Sequence, residues 1–288
     1  MPVNMQNSLA KINSEGLLED SYIFVSESGI KLLKNIHIAG MRFRNLNERL
    51  SESFLDAAIV SGAFSGTSMP ELAELCVLRS GIYYGIDRAF MKYAGYSLPV
   101  AHIGATRVQQ GSGGFETEVY FRKTDAIMGK KHLLTSEIIA SGSTFKAVFE
   151  TLPRSIEKWT VFSAASAYNG LSILSRLAMA HGVRASFFAN CFIGYTDNGT
   201  DIPFFHKSAI MPAYVEESLR RSYGNELFEA IPCCIGDGGR RFCYPEKHYR
   251  EILDVYSGMN LKEKKSRLRL EKILRETEGF LKECEKGI

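Results

Sequence analysis

Hydrophobic positions along this chain follow two periods. Phe43, Leu46, Leu50, Phe54, Ala57 and Ala58 recur at helical spacing, which predicts a helix over 43–60. Glu74 to Leu78 is a short apolar run that predicts a strand, closed by Arg79-Ser80-Gly81, and residues 82–94 then read as a helix. Val100 to Gly104 is a further strand. Phe115, Thr117, Val119 and Phe121 alternate with Glu116, Glu118 and Tyr120, the pattern of a hairpin strand. Between them, Gln109 to Gly114 is polar and glycine-rich and reads as a mobile loop. Leu133 to Ile139, Trp159 to Ala165 and Ala185 to Ile193 are buried-strand runs. Asn169-Gly170 turns into a helix through Ile173 and Leu177. Strands alternating with helices predict an α/β fold, a mainly parallel sheet flanked by helices.

Leu133 to Thr144 is the most informative of these runs. An apolar strand ends in an acid, Glu137. The chain then turns through Ala140-Ser141-Gly142-Ser143-Thr144, and Phe145, Val148, Phe149 and Leu152 begin a helix. A small-residue loop of this kind can wrap a phosphate with its backbone N–H groups and hydroxyls. It lacks the Gly-Lys-Ser/Thr ending of a Walker loop and the glycine spacing of dinucleotide folds.

Composition narrows the classes. With 288 residues the chain can bury a sizeable core, and its 45% hydrophobic and 23% charged content is that of an ordinary globular protein. A net charge of +3 gives no argument for nucleic acid. No basic-then-apolar leader opens the sequence, and the longest uncharged run, Trp159 to Ser175, is broken by Ser, Asn and Gly. No membrane partner and a cytoplasmic location are therefore expected. The six cysteines match no zinc spacing and read as thiols in a reducing compartment. Asn198-Gly199-Thr200 reads as a turn rather than a glycosylation site. From Leu261 to Arg275 there are seven Lys/Arg against two Glu, while Leu270, Ile273, Leu274, Thr277 and Leu281 share one helical face. That pattern predicts a terminal helix packed on the core or on a partner subunit.

Six segments in order resemble the uracil phosphoribosyltransferases. Phe43-Arg44 is similar to an F-R near that family's N-terminus, and Cys76-Val77-Leu78-Arg79-Ser80-Gly81 to its I-L-R-A-G. Ile103-Gly104-Ala105-Thr106-Arg107 resembles its I-G-x-x-R, and Ala140 to Thr144 its A-T-G-x-S loop. Ala164-Ala165 with Gly170-Leu171 resembles A-A-x-x-G-L, and Ile235 to Phe242 the L-G-D-A-G-D-R segment. Each piece alone is a weak signal; the ordered set over residues 43–243 is specific. The resemblance implies a type I phosphoribosyltransferase fold at 41–245 with an insertion about 197–230, an N-terminal arm or cap at 1–40, and a C-terminal helical extension at 246–288. It also implies a homo-oligomer, a dimer or larger.

The implied donor is phosphoribosyl pyrophosphate (PRPP). Ala140, Ser141, Gly142, Ser143 and Thr144 would cradle its 5-phosphate. Arg79 and Arg107 would stabilise the departing pyrophosphate, because arginine forks match phosphate oxygens. Glu137 and Asp237 would stand near ribose and Mg²⁺, the ion being held mainly by PRPP with Asp237 as the one protein candidate. The 109–114 loop would close over the donor. Ile231, Cys233, Cys234, Ile235, Gly236 and Arg240 would meet the acceptor.

Departures from the family pattern touch the phosphate-binding motif and, more heavily, the acceptor side. Ser136-Glu137 stands where uracil enzymes carry Asp-Pro, Arg240 replaces the second Asp of G-D-x-G-D, and Cys occupies a glycine position before the G-D. Three readings follow. One is transfer to uracil or another pyrimidine. A second is transfer to a different acceptor, such as a hydroxyl of an aminoglycoside intermediate. The third is a PRPP- or nucleotide-sensing regulator without turnover. His102, His132, His181 and His206 read as structural or surface residues, and the residues show no general base.

Overall fold

The computed structural model describes residues 8–109 and 115–286. In chain order the elements are β1 (Ser8–Lys11), β2 (Ser21–Val25), α1 (Glu27–Lys34), α2 (Gly40–Val60), β3 (Leu72–Leu78), α3 (Ile86–Ala94), β4 (Val100–Gln109), β5 (Phe115–Lys123), β6 (His132–Ser136) and α4 (Ser143–Phe149). They continue with β7 (Lys158–Ser163), β8 (Ser166–Ala167), α5 (Tyr168–Ala180), β9 (Arg184–Asn190), β10 (Ile193–Gly194), α6 (Ala213–Tyr223), α7 (Asn225–Ala230), α8 (Gly238–Cys243), α9 (Pro245–Tyr256) and α10 (Lys264–Glu285).

Eight strands form one sheet in the order β1-β2-β9-β7-β6-β3-β4-β5. The six inner strands are parallel, and β1 and β5 close the edges antiparallel. Inner strands are buried on both faces, so they read as continuous apolar runs; β6 is buried at all five positions. Successive side chains of β7 point to opposite faces. Phe162 stacks on Phe54 of α2 at 4.8 Å. Trp159, on the other face, meets Phe149 of α4 at 4.6 Å and Phe145 at 5.3 Å. Thus α2 and α4 cover opposite faces of the sheet. The indole N–H of Trp159 donates to Thr135 Oγ1 at 2.8 Å, which satisfies the polar end of a fully buried ring.

The structure corrects several expectations. Residues 8–25 do not form a cap: β2 pairs in parallel with β9, with Tyr22 opposite Phe188, and β1 pairs with β2. β6 ends at Ser136 and not at Ile139, because the chain leaves the sheet there and keeps only a bridge from Ile139 to Ser166. The helix expected at 82–94 begins at Ile86, since Gly85 adopts φ +65° and breaks the turn before it. Residues 197–230, expected as an insertion, form a loop followed by α6 and α7. Within that loop, Asn198 Oδ1 accepts from the N–H groups of Thr200 and Asp201, each at 2.9 Å, an Asx-type turn. In α10, Leu270, Ile273, Thr277 and Leu281 are buried, the face the spacing predicted. No helix among the described residues is long and apolar enough to cross a membrane.

Candidate functional site

Chain direction across the sheet changes between β3 and β6. The chain leaves β3 toward β4 on one side and leaves β6 toward β7 on the other, although β3 and β6 are neighbours. Loops after two such strands part from each other and leave a crevice at their carboxyl ends, the place where open α/β sheets bind ligands. A cleft of about 680 Å³ lies here. Five segments wall it: Leu78 to Ser80 after β3, Ala105 to Arg107 on β4, Glu137 to Phe145 after β6, Thr200-Asp201, and the stretch around Gly236 to Arg240.

The loop after β6 owes its shape to two glycines. Gly142 has φ +77°, and a Cβ there would stand 2.9 Å from the carbonyl oxygen of Gly170. A Cβ on Gly170 in turn would meet the Ala140 carbonyl oxygen at 2.3 Å. The loop therefore lies backbone-to-backbone on the first turn of α5, which only paired glycines allow. The Ser141 and Ser143 hydroxyls are 3.0 Å apart, and the Ser143 N–H points back to Ser141 Oγ at 3.4 Å. The loop thus presents small side chains and backbone, with α4 starting at Ser143.

Glu137 sits at the root of this loop, 8% exposed. Its Oε1 accepts from the Ile138 N–H at 2.8 Å and from the Ser80 hydroxyl, so the β3 and β6 loops are joined through one carboxylate oxygen. Oε2 has no hydrogen-bond partner among the described residues. Burial pushes the carboxyl up to about 7; the Ser80 and Ile138 hydrogen bonds and Arg107 oppose this, and Asp237 adds to it. Arg79 is exposed and makes no hydrogen bond or ion pair with any described residue; its guanidinium lies 5.9 Å from the Tyr244 ring centre. Arg107 Nη1 donates to the Gly199 carbonyl at 3.4 Å, which ties the edge of β4 to the 197–201 loop.

Asp237 caps α8: its Oδ1 accepts from the Arg240 N–H at 2.8 Å. The Arg240 guanidinium pairs with Glu251 Oε2 at 3.0 Å, so its charge is answered by a carboxylate from α9. Arg241 is wholly buried and donates to three carbonyls, Ile38 at 2.9 Å, Ile235 at 2.8 Å and Asn35 at 3.1 Å. It also lies over the Phe43 ring at 4.2 Å. Burial brings it down to about 10. Arg241 fastens the Gly236–Arg240 wall of the cleft to the segment between α1 and α2.

Of the residues singled out in the sequence, Arg79, Arg107, Glu137, Ala140, Ser141, Gly142, Ser143, Thr144, Cys233, Gly236, Asp237 and Arg240 line this one cleft. Ile231, Cys234 and Ile235 do not; they are buried in the core beneath it. Residues 110–114 of the expected mobile loop lie outside the described residues. Sequence reasoning passed over Ser80, Tyr120, Thr200, Asp201 and Glu251, which also line the cleft. Ser80 was within a quoted motif and adjoins Arg79; Tyr120 and Thr200 fell in a strand and a turn pattern that carry no sign of a site, and Asp201 and Glu251 carry no local pattern. No group of three or more His, Cys, Asp or Glu placed to hold a metal occurs among the described residues.

No protein-family model matches the chain, and no curated protein matches it. Among solved structures it is similar to the AQ2163 protein from Aquifex aeolicus, at 15% identity over 60% of this chain and 86% of that one, with a TM-score of 0.46. It is also similar to a hypoxanthine phosphoribosyltransferase from Staphylococcus aureus, at 14% identity over 68% of this chain and 91% of that one, with a TM-score of 0.32. Both likenesses are remote, and the reading of the cleft rests on its own residues.

Proposed function

We propose that this chain is a PRPP-dependent phosphoribosyltransferase. The observation that carries the reading is convergence: Arg79, Arg107, Glu137, the Ala140–Thr144 loop and Asp237 come from separate segments and line one cleft at the sheet's switch point. The glycine-shaped loop supplies backbone and hydroxyl groups for a 5-phosphate. Arg79, without a hydrogen bond or ion pair among the described residues, and Arg107 line the same cleft and suit a pyrophosphate. As the bond from ribose C1 to pyrophosphate breaks, negative charge gathers on the leaving oxygens, and fixed guanidinium groups stabilise it. Glu137 and Asp237 line the same cleft and are the carboxylates that would meet the ribose hydroxyls.

These two carboxylates also fit a Mg²⁺ held chiefly by its substrate, since that ion commonly takes one or two carboxylates with phosphates and waters. When bound it supplies charge neutralisation on the pyrophosphate. Glu137 and Asp237 are the residues that would hold it.

A non-pyrimidine acceptor is the finer reading we favour over uracil. The observation behind it is the Arg240–Glu251 pair, which places an ion pair on the acceptor side of the cleft. Calorimetry with PRPP and Mg²⁺, joined to a pyrophosphate-release assay over an acceptor panel, tests the whole reading. PRPP binding is expected, and release with an acceptor other than uracil. Binding with no release from a broad panel would support a sensor instead, and absence of PRPP binding would overturn the proposal. Arg79→Ala is expected to reduce turnover by about 10²–10³-fold, as for loss of one oxyanion-stabilising donor. Its unfolding midpoint should stay unchanged, because Arg79 makes no internal hydrogen bond.

A further inference from the structure

Next to the cleft a second chamber of about 260 Å³ opens between the Pro232–Gly236 turn and α9. Asp201, Cys233, Gly236 and Glu251 line both spaces, so the two meet at those residues. The body of the chamber is apolar, with Ile36, Ile235, Ile252, Val255 and Tyr256 as its main walls. At about 30 Å³ per water its volume is that of roughly eight or nine waters, enough for a compact ring.

The side chains that line it offer acceptors in His248, Asp201 and Glu251, and donors in the Tyr256 hydroxyl and the Cys233 thiol. His248 is 4% exposed, and its Nε2 lies 3.0 Å from the Ile36 carbonyl oxygen. A carbonyl only accepts, so Nε2 carries the proton. Burial, with Arg241 nearby, holds the ring well below its ordinary pKa, and it is neutral. Nδ1 is therefore a bare acceptor, without a partner among the described residues, on a side chain that lines the chamber. Asp201 Oδ2 is held by Asn198 Nδ2 at 2.8 Å and Thr200 Oγ1 at 3.3 Å, both neutral groups, and Oδ1 is left open. Glu251 is the second carboxylate, and Arg240 answers its charge. No Lys or Arg lines the chamber. The Asp201 charge at its mouth has no cationic partner among the described residues.

We propose that this chamber is the acceptor site, and that it takes a compact cyclic molecule bearing an amino or ammonium group. The inference rests on the transferase reading. An amine donates to Asp201 and to His248 Nδ1 while its ring packs on the isoleucines. A uracil-like ring brings two carbonyls to a chamber that offers three acceptor side chains and only the Tyr256 hydroxyl and the Cys233 thiol as side-chain donors, and a carboxylate enters against Asp201 and Glu251.

Calorimetry on the full chain, with and without PRPP and Mg²⁺, tests this with three probes: cyclohexane-1,3-diamine, uracil and orotate. The diamine is expected to bind at least tenfold more tightly than the other two. Val255→Trp, at a position 44% exposed and so tolerant of a larger side chain, should fill the chamber. It is expected to weaken the diamine at least tenfold while leaving PRPP affinity within twofold. Asp201→Asn should weaken the diamine at least tenfold and narrow its preference over orotate, a change in charge selectivity that a purely structural role would not produce. Uracil or orotate binding as tightly as the diamine overturns the inference, as does failure of the diamine to bind or indifference to Val255→Trp. PRPP binding without the diamine removes the chamber alone; diamine binding without PRPP removes the donor reading and leaves the chamber as an amine site.

Discussion

Replacing Glu137 by Gln separates the cost of the site from its use. The carboxyl is buried at the root of the phosphate-type loop and is raised from 4.5 to about 7. A carboxyl raised on folding gives stability that is complete below its unfolded pKa and is lost as pH rises through the folded one. Across that window the loss amounts to two and a half pH units at about 1.4 kcal/mol each, about 3 kcal/mol in all. Gln removes the titration and keeps the local hydrogen bonds, because the Ser80 hydroxyl and the Ile138 N–H both donate to Oε1. Glu137→Gln should therefore be more stable than the parent, by less than about 1 kcal/mol near pH 5 and by about 3 kcal/mol at pH 8. Urea unfolding at the two pH values reads this directly. PRPP-dependent pyrophosphate release should fall in the same variant, since the oxygen that faces the cleft becomes an NH₂ that can bind neither a cation nor a donated ribose hydroxyl. A stability gain that does not grow with pH would refute the burial argument. Undiminished turnover would remove Glu137 from the site.

Glu74 provides the control outside the cleft: buried in β3 and raised to about 8 by desolvation, with Asp87 adding to it, it should yield a Glu74→Gln variant stabilised by a few kcal/mol at pH 9 and little changed at pH 4, with PRPP affinity unaffected. Gly170→Ala improves helix propensity by up to about 1 kcal/mol, yet should destabilise by about 1–3 kcal/mol in thermal unfolding and weaken PRPP binding, because the new Cβ strikes the Ala140 carbonyl. Gly142→Val adds a β-branched side chain at φ +77° and should abolish PRPP binding in calorimetry; undiminished affinity would refute the cradle. Arg241→Met strands three buried carbonyls and should lower the urea midpoint by the equivalent of about 3 kcal/mol or more.

The residues of the proposed donor side could be read from the sequence because they lie in short local segments. Arg79 follows a strand, Glu137 ends one, and Ala140 to Thr144 is a contiguous loop, so short motifs in chain order sufficed to bring them to one place. The inner strands were legible for the same reason: burial on both faces gives unbroken apolar runs, as in β6 and β7. β2 was not, although Ser21 to Val25 is largely apolar, because its place beside β9 is fixed by pairing across more than 160 residues and not by any pattern of its own. The end of β6 was misread because Ile138 and Ile139 continue the apolar run after the backbone has left the sheet. Ile231 and Cys234, also expected at the acceptor, line neither the cleft nor the chamber, whereas Ile235 lines the chamber. The side chains of Ile231 and Cys234 are as apolar as a binding pocket's and are buried in the core.

The acceptor side was hidden because it is assembled by tertiary structure. Asp201 reaches the cleft on a loop whose turn Asn198 organises, Glu251 and His248 come from α9, and Arg241 locks the Gly236–Arg240 wall against the segment between α1 and α2. None of these contacts has a sequence spacing that could announce it. The replacement of an acid by Arg240, which in the sequence looked like a charge reversal at the heart of the site, changes meaning once Glu251 is seen 3.0 Å away. The pair sums to zero, so the wall carries no unanswered positive charge there, which is compatible with the proposed transfer to a different acceptor. Of the departures, Arg240 and Cys233 lie where α9 and the 197–201 loop meet the cleft, while Ser136-Glu137 sits at the root of the loop that the Gly142–Gly170 contact shapes.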